Sequence, residues 1–386
     1  MRVIVAGGGV AGAATAIALG RAGAEVRVYE SHADPAGPVG SFVSLAANGL
    51  RALRSLGVLE AVQDAGFPVE RQRMWSGSGR LMGDLPRGRL ADDPLRSVTL
   101  MRGDLVEALR AEAVRSGAEI VTGVRVTGAA HTADGVRAEL AGGSAEADLL
   151  VGADGIWSAT RRVLDPAAPE PAYAGQYSVS GVARPVPGVE AGTFNMVFCW
   201  AGAFVAIAAP GAVWWSAQVT ASEAPDLGTT GVDALARLFR HEEMPSAVLR
   251  AVTATHRPTL HHVLPPVRVW RDDRTVLVGD ASHPVGAGQG ASMAIEDAAV
   301  LAHALRTQGT VAAGLAAYEA DRRARVAKLV KMAAANRDAK TAGPLARRVR
   351  DVVMPVALRL FHERSTAWLY TGGPVLDGPA VTGSAG

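Results

Sequence analysis

Four glycines within six residues fix most of what the N-terminal part of this chain can become. Gly7, Gly8, Gly9 and Gly12 follow the apolar run Val3-Ile-Val-Ala6 in the pattern G-x-G-x-x-G. The run reads as a short buried strand, Arg2 to Ala6. Beyond it Val10, Ala14, Ile17 and Ala18 share one face of a helix that Gly20 and Gly23 close. Without a Cβ, Gly7 can make the tight turn, Gly9 lets backbone approach a ligand, and Gly12 lets the helix pack on the strand. Free amides and the positive end of the helix dipole meet there, which suits a pyrophosphate. A second strand, Glu25 to Tyr29, leads to Glu30, where an acidic side chain accepts hydrogen bonds from a ribose diol. The segment predicts a dinucleotide site. Glutamate at that place favours FAD or NAD over NADP as the tightly held ligand.

Composition narrows the class. A net charge of +2 over 386 residues is no footprint for nucleic acid. Cys199 is the single cysteine, which excludes an internal disulfide framework and fits a cytoplasmic protein. Residues 191–222 carry no charge and are long enough to span a bilayer. Yet Pro210-Gly211 marks a turn in their middle, and Phe194, Val197, Phe198, Val213, Trp214, Trp215 and Val219 prefer strands. The reading is three strands, Phe194–Trp200, Ala203–Ala209 and Val213–Thr220, and no transmembrane segment.

Two further loops follow strands. Asp148-Leu-Leu-Val-Gly152 enters Ala153-Asp-Gly-Ile-Trp-Ser-Ala-Thr-Arg161. Thr275-Val-Leu-Val-Gly-Asp280 enters a second glycine-rich loop that ends at Gly288-Gln-Gly290 and opens a helix with Ala294, Ala298, Leu301 and Leu305 at core spacing. One adenine nucleotide needs only the first glycine turn, so the others imply a ligand with more to hold, such as a ribityl chain and a flavin ring. Elsewhere, Glu119–Val121, Gly123–Ala130 and Val136–Leu140 suggest a small meander. Tyr318 to Asn336 reads as a long helix whose charged run, Glu319 to Lys331, is a solvated face. Pro355 to Tyr370 is a last helix, and Gly372 to Gly386 a frayed tail. His261-His262 lacks partners at metal-ligand spacing, and no serine stands in a G-x-S-x-G elbow, so neither a metal site nor a Ser-His-Asp hydrolase is expected.

Gly7-Gly-Gly-Val-Ala-Gly12 with Glu30, Arg102 in Leu100-Met-Arg-Gly-Asp-Leu105, Asp154-Gly155 with Arg161, and Gly279-Asp280 before Gly288-Gln-Gly290 form a set. It resembles the class A flavoprotein monooxygenases, the single-component FAD-dependent aromatic hydroxylases typified by p-hydroxybenzoate hydroxylase. The resemblance covers Met1 to about Lys340, and Ala367-Trp-Leu-Tyr370 is similar to the last helix end of many relatives. It implies an α/β fold in which a discontinuous Rossmann-type FAD-binding domain (1–70, 98–170 and 268–340) is interrupted by a mainly β-sheet substrate domain (71–97 and 171–267). Residues 341–386 would form a C-terminal helix and flexible tail.

By the same resemblance Gly7, Gly9 and Gly12 cradle the FAD pyrophosphate, Glu30 binds the adenosine ribose, and Arg102 contacts FAD. Asp154 and Gly155 serve FAD and NAD(P)H with Arg161 in support. Asp280 holds the ribityl hydroxyls, and Gly288, Gly290, Ala291 and Ser292 line the flavin end. The implied chemistry is hydride transfer from a transiently bound NAD(P)H to FAD, capture of dioxygen as a C4a-hydroperoxide, and hydroxylation of an aromatic substrate. His283 is the nearest candidate base. Trp200, Trp215 and Gln218 are candidates for the substrate sheet, although alternation sends Trp214 and Trp215 to opposite faces. The loop His283-Pro-Val-Gly-Ala-Gly288 is shorter than the family pattern and has one proline. Epoxidation, decarboxylating hydroxylation or reduction therefore stay open beside hydroxylation, as do a flavin-binding protein without turnover, a plain NAD dehydrogenase, and a monomeric or homodimeric state.

Overall fold

The strand β1 (Arg2–Ala6) is buried from Val3 onward, as a central parallel strand must be. The structure is a computed structural model and describes residues 1–34, 41–285, 288–340 and 343–371. From β1 the chain turns through the glycines into α1 (Val10–Arg21) and returns as β2 (Glu25–Glu30), parallel to β1 with Ala6 opposite Tyr29. Every residue of α1 from Gly12 to Leu19 is buried, so the helix is covered all round and not on one face alone.

Next come β3 (Phe42–Leu45), α2 (Ala47–Ser55), α3 (Leu59–Ala65) and β4 (Phe67–Val69). The hairpin of β5 (Arg71–Ser76) and β6 (Leu81–Pro86) leads to β7 (Ser97–Met101), which pairs with β3 and β4. After α4 (Arg102–Arg115), β8 (Glu119–Thr122) joins β2 in parallel. That corrects the expected meander. A strand fed by a helix lands most simply parallel to its predecessor, so the small antiparallel sheet is instead β9 (Val126–His131), β10 (Val136–Leu140) and β11 (Gly143–Ala147). The sequence Gly143-Ser-Ala-Glu-Ala147 has no β-branched or aromatic residue to announce that third strand.

Beyond β12 (Leu149–Gly152) and α5 (Ala159–Leu164) come β13 (Ala172–Ala183), β14 (Thr193–Phe198), β15 (Gly202–Ala209) and β16 (Ala212–Thr220). The uncharged segment therefore folds as antiparallel strands, and among the described residues no helix is long and apolar enough to cross a membrane. The chain continues with α6 (Val232–Leu238), α7 (Glu243–Arg250), β17 (Val252–Thr255), β18 (Thr259–Val263), β19 (Thr275–Leu277), α8 (Gly290–Thr307), α9 (Val311–Lys340) and α10 (Pro344–Tyr370).

Two sheets position the site. One is all parallel, in the order β19-β12-β1-β2-β8; the other runs β17-β13-β16-β15-β14-β5-β6, with β18 also on β13. One face of the large sheet, with Tyr177, Val179, Phe204 and Trp215, packs on Leu235, Phe239, Val248 and Leu249 of α6 and α7. The opposite face presents Phe194, Val205 and Ile207 to Phe42 and Phe67, and Met74 and Phe198 to Met354 and Leu358 of α10.

The last helices start earlier than the apolar pattern predicts. In α9 the extra residues are mostly Ala and Gly around the buried Leu315; Gly314 lets the helix cross α8 so closely that a Cβ there would stand 2.9 Å from Leu305 Cδ2. In α10, Val349, Val352, Val353 and Val356 are exposed, and the face turned to the sheet in its first half carries Arg347, Arg350 and Met354 in place of an apolar stripe, so the pattern hides it; Pro355 lies inside the helix instead of opening it. The tail from Gly372 lies outside the described residues.

Candidate active site

Two helix N-termini meet at Gly279, whose Cβ would stand 2.8 Å from Ala11 Cβ of α1 and 3.3 Å from Ala294 Cβ of α8. In α1 the first amide with an acceptor inside the helix is that of Ala13, bonded to Gly9 O; in α8 it is Met293, bonded to Gln289 O. The first-turn amides before them, including those of Gly290, Ala291 and Ser292, point out of the helix ends, where the dipoles favour negative charge.

The glycines divide by role. Gly7 has φ +100°, and a Cβ on it would lie 2.5 Å from Ala153 O; one on Gly12 would lie 1.8 Å from Gly7 O. Both are needed for packing of turn and helix. Gly9 faces open space, with Arg102 Nη2 the nearest atom at 4.0 Å. Glu30 is buried, and its carboxylate accepts from Gly8 N (2.7 Å) and His32 N (2.8 Å). Burial alone would raise its pKa, but the His32 and Gly8 amides and the His32 ring hold it below the usual carboxylate range.

Asp154 turns inward, accepting from Ser158 Oγ (2.5 Å) and from both Thr160 N and Thr160 Oγ1 (3.0 Å). It braces the turn at Gly155, which has φ +74°, onto the start of α5. Arg161 is almost fully buried and ties two loops together, donating to Ile156 O (2.7 Å) and Ala281 O (3.0 Å). Asp280 behaves differently from both. Its side chain is exposed, while the protein packed around it pushes its carboxyl pKa up. Among the described residues it has no hydrogen-bond or ion-pair partner. An exposed carboxylate beside two helix N-termini, its Oδ1 3.7 Å from where a Cβ on Gly290 would stand, is an acceptor open to a ligand's donor. Gly286 and Ala287 of the loop after it lie outside the described residues; Gly288 has φ +128° just before α8.

Comparison with known proteins decides the family. Residues 1–333 match the model of a family described as FAD binding domain. Aurachin C monooxygenase/isomerase of Stigmatella aurantiaca is 32% identical over 332 residues, 83% of this chain and 85% of that protein. The 6-hydroxynicotinate 3-monooxygenase of Pseudomonas fluorescens is 32% identical over 370 residues, 86% of this chain and 90% of that protein. The chain belongs to the class A FAD-dependent monooxygenases. Its fold superposes on HpxO of Klebsiella pneumoniae, solved with FAD and uric acid, with a TM-score of 0.85 at 25% identity over 97% of both chains.

In this monooxygenase the remaining candidates separate. His283 does not face the cleft: it is buried, its Nε2 lies 2.6 Å from Asp297 Oδ2, and its ring packs on Trp270. This corrects the expectation of a base, because a base needs access to the proton it removes. Arg322 of α9 corrects another. Instead of joining a solvated face it is fully buried, bonded to Asp297 Oδ1 (2.7 Å) and Glu296 Oε2 (2.8 Å). Neither substrate tryptophan lies on the cleft side. Trp215 is fully buried against Phe204 and the α6–α7 layer, and Trp200 is exposed in the turn after β14 beneath Arg347.

Trp214 takes the other face, stacked on Phe42 at 6.1 Å and edge-on to Phe67 at 5.0 Å. Gln218 shares that face by alternation, with Ser216 between them. The face looks toward α8, because β3 continues to Ala46, whose amide donates to Ser292 Oγ at 3.3 Å. Alternation announces that the two tryptophans diverge; which side the helices cover is not written locally.

Proposed function

We propose that this monooxygenase takes a hydride from NAD(P)H and uses dioxygen to hydroxylate an aromatic or polycyclic small molecule. The observation that carries the reading is the Asp280 carboxylate beside the N-termini of α1 and α8, without a partner among the described residues, together with the apolar sheet face that carries Trp214. Nucleotide alone would leave that carboxylate idle; a ribityl chain supplies hydroxyl donors for it. When bound, FAD supplies the redox chemistry. Gly9 and the first turn of α1 would take the pyrophosphate, Glu30 the ribose, and Arg102 a phosphate or ribityl oxygen. Gly290, Ala291 and Ser292 would donate amides to the flavin pyrimidine edge and stabilise negative charge there. Asp154, Gly155 and Arg161 would hold the loop along which a transient nicotinamide cofactor comes. Trp214, Phe42 and Phe67 would exclude water and stack a planar ring. The names of the relatives, with 6-hydroxynicotinate and uric acid among their ligands, fit a ring-shaped substrate.

The test is a visible spectrum of the purified chain, identification of the released cofactor, and NADH and NADPH oxidation with and without aromatic ligands. About one FAD per chain and ligand-stimulated oxidation of a nicotinamide cofactor are expected. A chain that holds FAD but never oxidises either nicotinamide, whatever ligand is present, would be a flavin-binding protein without turnover.

A further inference from the structure

Arg87 lies in the turn Pro86-Arg-Gly88 that follows β6, and its guanidinium rests 3.8 Å above the Phe194 ring. Nη1 donates to Gln72 Oε1 at 2.5 Å, a neutral acceptor. The acids around it are committed elsewhere: Asp84 to Arg71 and Arg73, Glu70 to Arg96, Asp93 to Arg51, and Glu363 to the Ala91 amide. Among the described residues no carboxylate forms an ion pair with Arg87. Holding a guanidinium partly out of water without a counter-charge is costly, and natural proteins seldom do so without return. Burial pushes Arg87 down to about 10, the nearby Tyr370 acting in the opposite sense. The side chain is nonetheless only half-buried, so part of it faces open space.

Its position connects it to the cofactor end. The carbonyl of Gly88 accepts from Ala47 N at 2.8 Å, a Cβ on Gly88 would touch Ala46 Cβ at 3.1 Å, and Ala46 N donates to Ser292 Oγ in the first turn of α8. Phe194 stands on the same sheet face as Trp214, with Ile207 between them in register. Arg87 therefore stands beside the aromatic floor of the proposed substrate site, held flat by Phe194 with N–H groups left over.

We infer that Arg87 binds an anionic oxygen of the aromatic substrate, either a carboxylate or an ionised ring hydroxyl, and so selects acidic aromatics over neutral ones. This rests on the reading of the Trp214 face as the substrate site. Stacking on Phe194 fixes the guanidinium plane and leaves its edge for a two-point contact with oxygen, which a lysine could not reproduce.

The test uses the FAD-loaded protein and four probes, with binding read from the flavin spectrum and tryptophan fluorescence. For the carboxylate, 2-naphthoate is compared with 2-naphthamide; for the ionised hydroxyl, 4-nitrophenolate is compared with 4-nitroanisole. At least one anion binds about tenfold to hundredfold more tightly than its neutral counterpart, the size of one charge-assisted contact. That preference vanishes in Arg87→Met and is partly kept in Arg87→Lys. If Arg87→Met does not fold, Phe194→Leu, which frees the guanidinium plane, takes its place and weakens the preference. Equal binding of anion and neutral partner, binding of none of the four, or a preference that survives the substitution overturns the inference. FAD content is read in every sample, so loss of the flavin, a failure of the cofactor site, is told apart from loss of anion selection.

Discussion

His283 Nε2 and Asp297 Oδ2 lie 2.6 Å apart with both side chains buried, and the same aspartate accepts from Arg322 Nε and from the Gly279 amide. Glu296, next in the helix, accepts from Arg322, Arg325 and Asn48. The strand end that carries Asp280 is thus fixed from below by a charge network on α8 and α9. Burial would raise the Asp297 pKa, but His283, Arg322 and the Gly279 amide hold it down at about 2.

A group whose folded pKa is lowered contributes stability above its unfolded value and loses it as pH falls through the folded value. The protein should therefore lose stability from about pH 4 downward as Asp297 is protonated. Asp297→Asn should cost about 3–5 kcal/mol at neutral pH, since it leaves buried Arg322 short of a counter-charge and breaks the contact with His283. Urea unfolding across pH checks both; a variant as stable as the parent at pH 7 would contradict this.

His283 should behave as a brace. His283→Asn is expected to lower the midpoint of unfolding while leaving the shape of the pH–rate profile as it was. Disappearance of one limb of that profile, in a variant with full FAD content, would restore it as a base.

Asp280 carries the opposite sign from Asp297. Its folded pKa is raised by burial, so its contribution is present below the unfolded value and is lost as pH rises through the folded one. Above the folded value the ionised group opposes folding of the flavin-free chain, an effect that solvent at the exposed side chain reduces. Asp280→Asn should accordingly melt higher without FAD, yet bind FAD about tenfold to hundredfold more weakly. Calorimetry of apo protein and flavin titration measure the two halves; unchanged FAD affinity would remove Asp280 from the cofactor site.

The glycines give a contrast within one turn. Gly9→Ala has room in the chain itself and should fold normally while losing FAD, because its new methyl faces the ligand side. Gly12→Ala would place Cβ 1.8 Å from Gly7 O and should damage the fold as well. Circular dichroism melting beside flavin content separates the two; equal retention of FAD by both would contradict the assignment.

Along β16 the two tryptophans should part company. Trp215→Ala should cost about 3–5 kcal/mol through the cavity it leaves. Trp214→Ala, on the cleft face, should weaken binding of a planar ligand more than it lowers the unfolding midpoint. The reverse pattern would mean the faces have been assigned the wrong way round.

Much of the cofactor side is legible in the sequence because its constraints are local. A strand, a glycine turn and a helix are adjacent in sequence, and the consequences for Gly7, Gly12 and Glu30 can be read without knowing the rest of the fold. The large-sheet side, where the substrate site is proposed, is not local. Trp214 and Trp215 differ only in which layer covers each face, and α6 and α7, which decide it, lie well downstream. His283 and Arg322 escape a sequence reading for the same reason: their partner Asp297 sits on another helix, so only tertiary packing turns a loop histidine and a surface-like arginine into a buried network. Arg87 resembles an ordinary turn residue, because nothing in Pro86-Arg-Gly88 tells that its neighbours spend their carboxylates elsewhere.

Whether this chain oxygenates an aromatic ring is decided by the fate of labelled dioxygen. The FAD-loaded protein is supplied with a nicotinamide cofactor, ¹⁸O₂ and the aromatic ligand that most stimulates cofactor oxidation, and the product is examined by mass spectrometry. One labelled oxygen atom is expected in the aromatic product. Recovery of all the reducing equivalents as hydrogen peroxide, with the ligand unchanged, would contradict the proposed hydroxylation.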